Sequence, residues 1–475
     1  MFRADAIDAG EKHNMRKPLA SALAEFVCRV QFDDLPSQAV QIAKTGIIDC
    51  IGVAIAGSQE PPVRILRRAI AESNTRGEAT LLGITGGLRS AAPDAAWING
   101  TAGHVLDYDD VARGHPSVVI VPAILALAEE IDSIGTDVIT AYVAGYEVWM
   151  ELMQRERGSY QEKGWHHTPI LGAIAATAAC ANLQRLGPEQ TTHALGIAAA
   201  QASGIVASHG TMMKSVQVGK AAHTAVLSAR LARLGITASP DVLDHERGFL
   251  KAISPAGDVD TASGAERLGR DWHICKHGLG IKRYPVCYRA HRAIDATLGL
   301  LDESEIAPKD IDRIEVSIGK LDATILLNHF PESGLAAKFS IEFAIACAVV
   351  AGNVSLQQVN DAFVRRHDVR DLMRKVTVVT NENYDPEAPG FSMHDCVRVL
   401  LKNGQIAESE KVRYARGHPK LPLTAEDLKR KFIDCVTVGN AHLDGPTLLQ
   451  QLQRLEHLPS CRFLQEAHSS QTVTH

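Results

Sequence analysis

Apolar residues recur at three- and four-residue spacing through eight successive segments between Leu19 and Leu234, and this repeat constrains the chain more than any other feature. The segments are 19–30, 38–55, 63–72, 118–131, 138–155, 169–183, 189–205 and 218–234. Stretches such as 120–127 and 170–181 are apolar nearly all round, which places them inside a helical bundle and not on its surface. Small-residue runs such as 173–181 let those helices pack closely. Gly57, Gly187 and Gly235 stand where helices should stop and Pro188 at a first turn, while Thr136 ahead of Asp137 reads as an N-cap.

After about Trp272 the period changes. Residues 313–318, 375–380 and 397–401 alternate as strands, and Asn403-Gly404 is a hairpin signal with 407–414 as the returning strand. Helical patterns at 291–301 and 336–351 lie between them, so the region reads as an α+β domain. The helical period returns at 424–436 and 446–455, and the tail after about Glu466 reads as disordered. A chain of 475 residues needs more than one core. The expectation is a mainly α protein: a large all-helical domain from 1–272 and 418–475, with a smaller α+β domain, 273–417, inserted.

The formal net charge of −6 gives no reason to expect nucleic-acid or membrane partners, and no run reads as long and apolar enough to span a bilayer. Nine scattered cysteines without Cys-x-x-Cys spacing read as reduced, mostly buried thiols. Asp5, Asp8 and Glu11 near the start, with no apolar core, argue against a secretory signal and for a cytoplasmic protein. No Gly-x-Gly-x-x-Gly follows a strand and no phosphate loop is present, which disfavours nucleotide cofactors.

Chemistry concentrates in four stretches. Residues 99–116 crowd His104, Asp107, Asp109, Asp110, Arg113 and His115 between apolar helices, where ionisable groups are costly without partners or a task. If a helix ends near Leu106, His104 and Asp107 share a face, and His115 arrives just before the next helix. A histidine among carboxylates is a tunable acid or base; the plainer reading makes Asp109 and Asp110 helix caps. His104, Asp107, Asp109 and His115 are also metal-ligand types, but their spacing matches no zinc or iron–sulfur signature, so no metal is expected. His166 and His167 precede an apolar helix whose positive end suits an anion, with Thr168 as a candidate cap. Lys214 and Lys220 are the cations near a segment that otherwise reads as core, fit to anchor a carboxylate or donate a proton. Lys282, Arg283 and His291 stand where a cleft between two domains would close, and Cys287 nearby reads as packing.

Taken in order, these stretches resemble the MmgE/PrpD family. The matching residues are Asn99-Gly100, His104, Asp107-x-Asp109-Asp110, His115-Pro-Ser117, Gly164-x-His166-x-Thr168, Gly210-Thr-x-x-Lys214, Gly219-x-Ala-Ala222, Lys282-x-Tyr-Pro285, His291, Phe339-Ser340 and Gly417-His-Pro419. The resemblance implies a metal-free, cofactor-independent homodimer with its active site between a helical and an α+β domain. It also implies a small polycarboxylate substrate and a lyase or isomerase reaction: 2-methylcitrate dehydration, cis-aconitate decarboxylation or iminodisuccinate epimerisation. Asp107, His115 and Lys214 take the catalytic positions; His104, His166, His291 and Lys282 take the substrate-binding ones. One of His115 or Lys214 moves a proton at carbon next to a carboxylate while Asp107 orients its partner. Val118 and Trp165 stand where the dehydratases have aspartates, Val111 replaces a threonine of the animal-type decarboxylase, and no tyrosine occurs between Ala323 and Ser333. On those departures an epimerase or another lyase is expected ahead of a dehydratase or a cis-aconitate decarboxylase.

Overall fold

The computed structural model describes residues 17–72, 77–388 and 391–469. The reading of a leader-free start and of the tail from 470 onward lies outside them. The protein is mainly α with a minor β part. Its helical part contains α1 (Leu19–Arg29), α2 (Ser37–Gly57), α3 (Pro61–Ala71), α4 (Ala92–Val105), α5 (Ser117–Ile131), α6 (Gly135–Arg155), α7 (His167–Leu183), α8 (Pro188–Gln201) and α9 (Met213–Arg233). The helices Ala425–Gly439 and Gly445–Gln453 pack back on α2. One hydrophobic core joins Leu19 to Ile281 with the chain's end from Phe432 to Leu464.

The site is built by the pairing of α4 with α9. Gly100 and Gly219 face each other so closely that a Cβ on Gly100 would lie 2.9 Å from the Gly219 Cα, and one on Gly219 would lie 2.3 Å from the Trp97 carbonyl oxygen. The two helices run antiparallel. The C-terminal end of α4 therefore meets the N-terminal end of α9, and Asp107 meets Lys214.

A second core spans Tyr284 to Val399. Its sheet contains β1 (Ile311–Gly319), β2 (Val376–Asn381), β3 (Cys396–Leu401) and β4 (Ile406–Glu408), in the order β2-β1-β3-β4. The β1–β2 pair is parallel, the others antiparallel, and a register shift between Ile311 and Arg313 explains why β1 alternates imperfectly. The helices His291–Glu303 and Ile341–Ala351 cover this sheet.

Several expectations need correcting. Thr136 is not an N-cap, because α6 already begins at Gly135 with Ile134 as its cap. The segment 189–205 stops being helical at Gln201, where the chain extends so that Trp165 bridges Ile205. The segment 336–351 is broken at residues 338–340, and Ser340 caps the second helix by accepting from the Phe343 N–H at 3.1 Å. The returning strand is only Ile406–Glu408. The described start of the tail, residues 467–469, continues a helix that begins at Phe463, and buried His468 in it accepts a hydrogen bond from the Gly83 N–H at 3.0 Å. Among the described residues one helix, α2, is in fact long and apolar enough to cross a membrane. It lies inside the bundle instead, and its buried Lys44 and Asp49 pair with Glu456 and Lys431 at 2.8 and 2.6 Å. The nine cysteines are all free, six of them buried.

Candidate active site

Helix α4 ends at Val105, and the chain turns sharply through Asp107, whose φ of 53° is left-handed. That turn aims the carboxylate at two cations. Its Oδ1 accepts from Lys214 Nζ at 2.5 Å and its Oδ2 from Lys282 Nζ at 3.0 Å, while Lys282 also donates to the Asp107 backbone oxygen at 2.7 Å. Burial raises the Asp107 carboxyl, but Lys214 and Lys282 outweigh it and hold the group well below the usual carboxylate range. Burial lowers Lys282, and Asp107 more than restores it. Two ammonium groups thus face one carboxylate, and one positive charge is left to attract an anion.

Beside this cluster Asp109, also buried, serves two imidazoles. Its Oδ2 lies 2.8 Å from His104 Nδ1 and 3.2 Å from His115 Nδ1. His115 Nδ1 also lies 2.7 Å from the Asp110 backbone oxygen; a carbonyl only accepts, so Nδ1 carries the hydrogen and Nε2 is left as a bare lone pair. Burial raises Asp109, but His104 and His115 outweigh it and keep it ionised, so His104 likewise donates from Nδ1. His104 Nε2 is buried without a hydrogen-bond partner among the described residues. Burial pushes His115 down to about 3 and lowers His104, so both rings are neutral at pH 7. The His115 side chain keeps 18% exposure against none for His104. Asp110 behaves oppositely: burial, reinforced by Asp49, pushes its carboxyl well above the usual carboxylate range.

A third imidazole closes the row. His166, the residue before α7, lies with its ring centre 5.9 Å from that of His104 and 4.7 Å from that of His209. Gln217, one turn into α9, accepts from the Ile205 N–H at 3.1 Å, so its Nε2 donates to His166 Nδ1 at 2.7 Å. His166 therefore carries its hydrogen on Nε2, in the tautomer opposite to that of His115. Burial lowers His166 well below the ordinary value and pushes His209 down to about 4.

Two family models match this chain: the MmgE/PrpD N-terminal domain over residues 21–262 and the MmgE/PrpD C-terminal domain over 284–443. The chain belongs to the MmgE/PrpD family. It is an enzyme of that family, of the lyase kind. Human cis-aconitate decarboxylase is 26% identical over 467 residues, covering 95% of this chain and 94% of that protein. Cis-aconitate decarboxylase from Aspergillus terreus is 29% identical over 427 residues, covering 83% and 85%. A cis-aconitate decarboxylase-like protein, oryM, from Aspergillus oryzae is 26% identical over 467 residues, covering 92% and 93%.

The structure brings Asp107, Lys214, Lys282, His104, His115 and His166 into one cluster, drawn from one end of the antiparallel α4–α9 pair, the turn before α5, the approach to α7 and the start of the second core. His291 stands behind it. It is fully buried between the rings of Tyr284 and Tyr288, donates from Nε2 to the Val286 oxygen at 3.3 Å, and burial pushes it down to about 3. Lys220 is elsewhere, 4.3 Å above the Trp97 ring, and Arg283 turns outward toward Asp427. Thr168 is not the cap of α7, since His166 holds that position.

His104 and Asp107, expected on one helix face, do not pair, because the left-handed turn at Asp107 carries its carboxylate to the lysines. Asp109, read as a cap, takes both imidazoles instead. The ligand-type atoms of His104, Asp109 and His115 lie within 4.8 Å of one another, yet each imidazole presents an N–H, not a lone pair, to the carboxylate. Sequence reasoning missed Gln217 and His209. His209 carried a visible signal, standing in the same short stretch as Lys214; Gln217 carried none.

Proposed function

We propose that this enzyme is a carboxy-lyase that releases CO2 from a small unsaturated tricarboxylic acid, as the decarboxylases similar to it are named for doing. The preference for an epimerase or another lyase, drawn from Val111, Val118, Trp165 and the lack of a tyrosine between Ala323 and Ser333, yields here to similarity that runs over most of the chain. The observation that carries the reading is the pairing of a cationic seat, Lys214 and Lys282 about Asp107, with His115, an imidazole whose Nδ1 hydrogen is held by the Asp110 oxygen and Asp109.

In a propene tricarboxylate the bond to the departing CO2 breaks at the allylic carbon. Its electron pair forms the new double bond there, and the old double bond's pair moves to the far alkene carbon, next to a carboxylate. That carbon takes up one proton. Lys214, Lys282 and the His166 Nε2–H bind carboxylates. Substrate charge draws a proton onto His115 Nε2, and His115 delivers it to carbon while Asp109 stabilises the imidazolium. His104 holds Asp109 in place, and His291 backs the lysine seat. No metal or organic cofactor enters this scheme, since the substrate's own double bond accepts the electron pair. The helical residues 1–272 and 418–475 and the inserted residues 273–417 act as two domains meeting at this seat; the resemblance supports a homodimer, which light scattering tests, and the scattered cysteines support a cytoplasmic location.

The deciding experiment incubates the purified protein with a panel of polycarboxylates in deuterated water. Release of CO2 with one deuteron in the product, lowered roughly 10²-fold in His115→Ala with the fold intact, is expected. Neither CO2 nor deuterium exchange from any member of the panel would refute the reading. Exchange without CO2 would establish an epimerase, for which Lys214 and His115 serve as the two proton carriers.

A further inference from the structure

Three buried lysines from three distant parts of the chain converge on the end of α4. Lys338 Nζ donates to the Val105 oxygen at 2.9 Å, Lys282 Nζ to the Asp107 oxygen at 2.7 Å and Lys431 Nζ to the Tyr108 oxygen at 2.9 Å. Helix ends leave carbonyls unpaired and carry partial negative charge, so ammonium donors are well matched there. Two of the three have further employment: Lys282 pairs with the Asp107 carboxylate and Lys431 with Asp49. Lys338 is different. Among the described residues it has no carboxylate within ion-pair distance, although it is 6% exposed, and burial pushes it down to about 8. A lysine buried for one carbonyl is costly, which calls for a role beyond packing.

Its surroundings suggest that role. Residues 338–340 interrupt what would otherwise be one helix, and the α+β core grips the interruption: Cys287 N–H donates to the Lys338 oxygen at 2.8 Å and Asn328 N–H to the Phe339 oxygen at 3.1 Å. From this fixed base Lys338 reaches Val105, while the Phe339 ring lies 5.3 Å from Lys214 Nζ. We propose that Lys338 is a positioning residue, a strut from the α+β core that fixes the turn carrying Asp107 and, together with Phe339, sets Lys214 against it. The kinetic part of this proposal rests on the carboxy-lyase reading; the structural part does not.

The test compares wild type with Lys338→Met, which keeps the length and leaves no buried carboxylate unpaired. With whichever polycarboxylate the wild type turns over, kcat should fall about 10-fold or more while KM stays within about threefold, since the groups that bind carboxylates are retained but misplaced. Amide exchange should accelerate about 10-fold across residues 105–111 and stay unchanged in α6 and α7. A kcat within about twofold of wild type, or exchange unchanged at 105–111, overturns the proposal. Should the Met variant not fold, Lys338→Gln, which keeps a donor on a shorter arm, must show the same local exchange and the same split of kcat from KM, or the proposal fails. If the wild type acts on no polycarboxylate, the carboxy-lyase reading fails and the exchange measurement alone decides the strut.

Discussion

Binding of a tricarboxylate should pull a proton onto the protein, and the structure sets how large the effect is. In the free enzyme burial pushes His115 down to about 3, so its Nε2 is bare at neutral pH. A carboxylate about 4 Å from the ring favours the imidazolium by roughly 4 kcal/mol at an effective dielectric constant near 20. At about 1.4 kcal/mol per pH unit this lifts the midpoint to near 6, and a second carboxylate about 8 Å away adds roughly half as much again, carrying it past 7. The complex then holds more protons than the free protein, so affinity must rise as pH falls from 8 to 6.5, a range in which the ligand stays largely ionised. Titration calorimetry with propane-1,2,3-tricarboxylate, the saturated analogue that cannot lose CO2 by the allylic route, reads the uptake directly. The observed enthalpy plotted against buffer ionisation enthalpy should give a slope on the order of one proton at pH 7. Binding with zero slope would refute the reasoning. Uptake that persists in His115→Ala would assign the proton to another imidazole.

Asp109→Asn keeps the shape of the carboxylate but removes the charge behind His104 and His115; kcat should fall about 10²-fold or more with an unchanged circular dichroism spectrum, as when an imidazole loses its orienting carboxylate. Buried Glu129, which accepts from the Thr80 N–H and hydroxyl, is pushed up to about 7, chiefly by burial. Its folded value lies above the unfolded one, so the wild type loses stability as pH rises from about 4.5 to 7, by up to roughly 3 kcal/mol, whereas Glu129→Gln does not. The variant's melting temperature should match wild type at pH 4 and exceed it at pH 8; equal melting temperatures at both would disprove the assignment.

The buried helices were legible because large apolar residues mark their faces. Helix α4 was not, since Ala92–Val105 is made mostly of small residues and Asn99, and its packing depends on what Gly100 and Gly219 lack. The crowd of ionisable residues between 99 and 116 announced a site. Which carboxylate serves which base did not show, because the left-handed turn at Asp107 is set by the lysines that hold it, and those lie 107 and 175 residues away. Lys338 and Lys431 were invisible as site residues for a related reason: their partners are backbone carbonyls, which carry no residue-specific signal, at separations of 233 and 323 residues. Lys338 did leave one trace, a charge inside a segment read as a helix of the α+β region.

The two buried carboxylates of the site divide its work through the kind of cation each faces. Asp107 meets ammonium groups, and its ion pairs are already formed in the free protein. Asp109 meets imidazoles that burial keeps neutral, so its charge is balanced only by hydrogen bonds until one ring is protonated. A buried carboxylate held that way stabilises an imidazolium more than an imidazole, and the difference is realised only when an incoming anion supplies the reason to protonate. Charge change on binding is therefore confined to the Asp109 side, while the Asp107 side stays fixed and orients the substrate. It follows that loss of Asp109 falls on kcat and on proton uptake together, whereas loss of Asp107, which misplaces Lys214 and Lys282 without removing them, lowers turnover and leaves proton uptake in place.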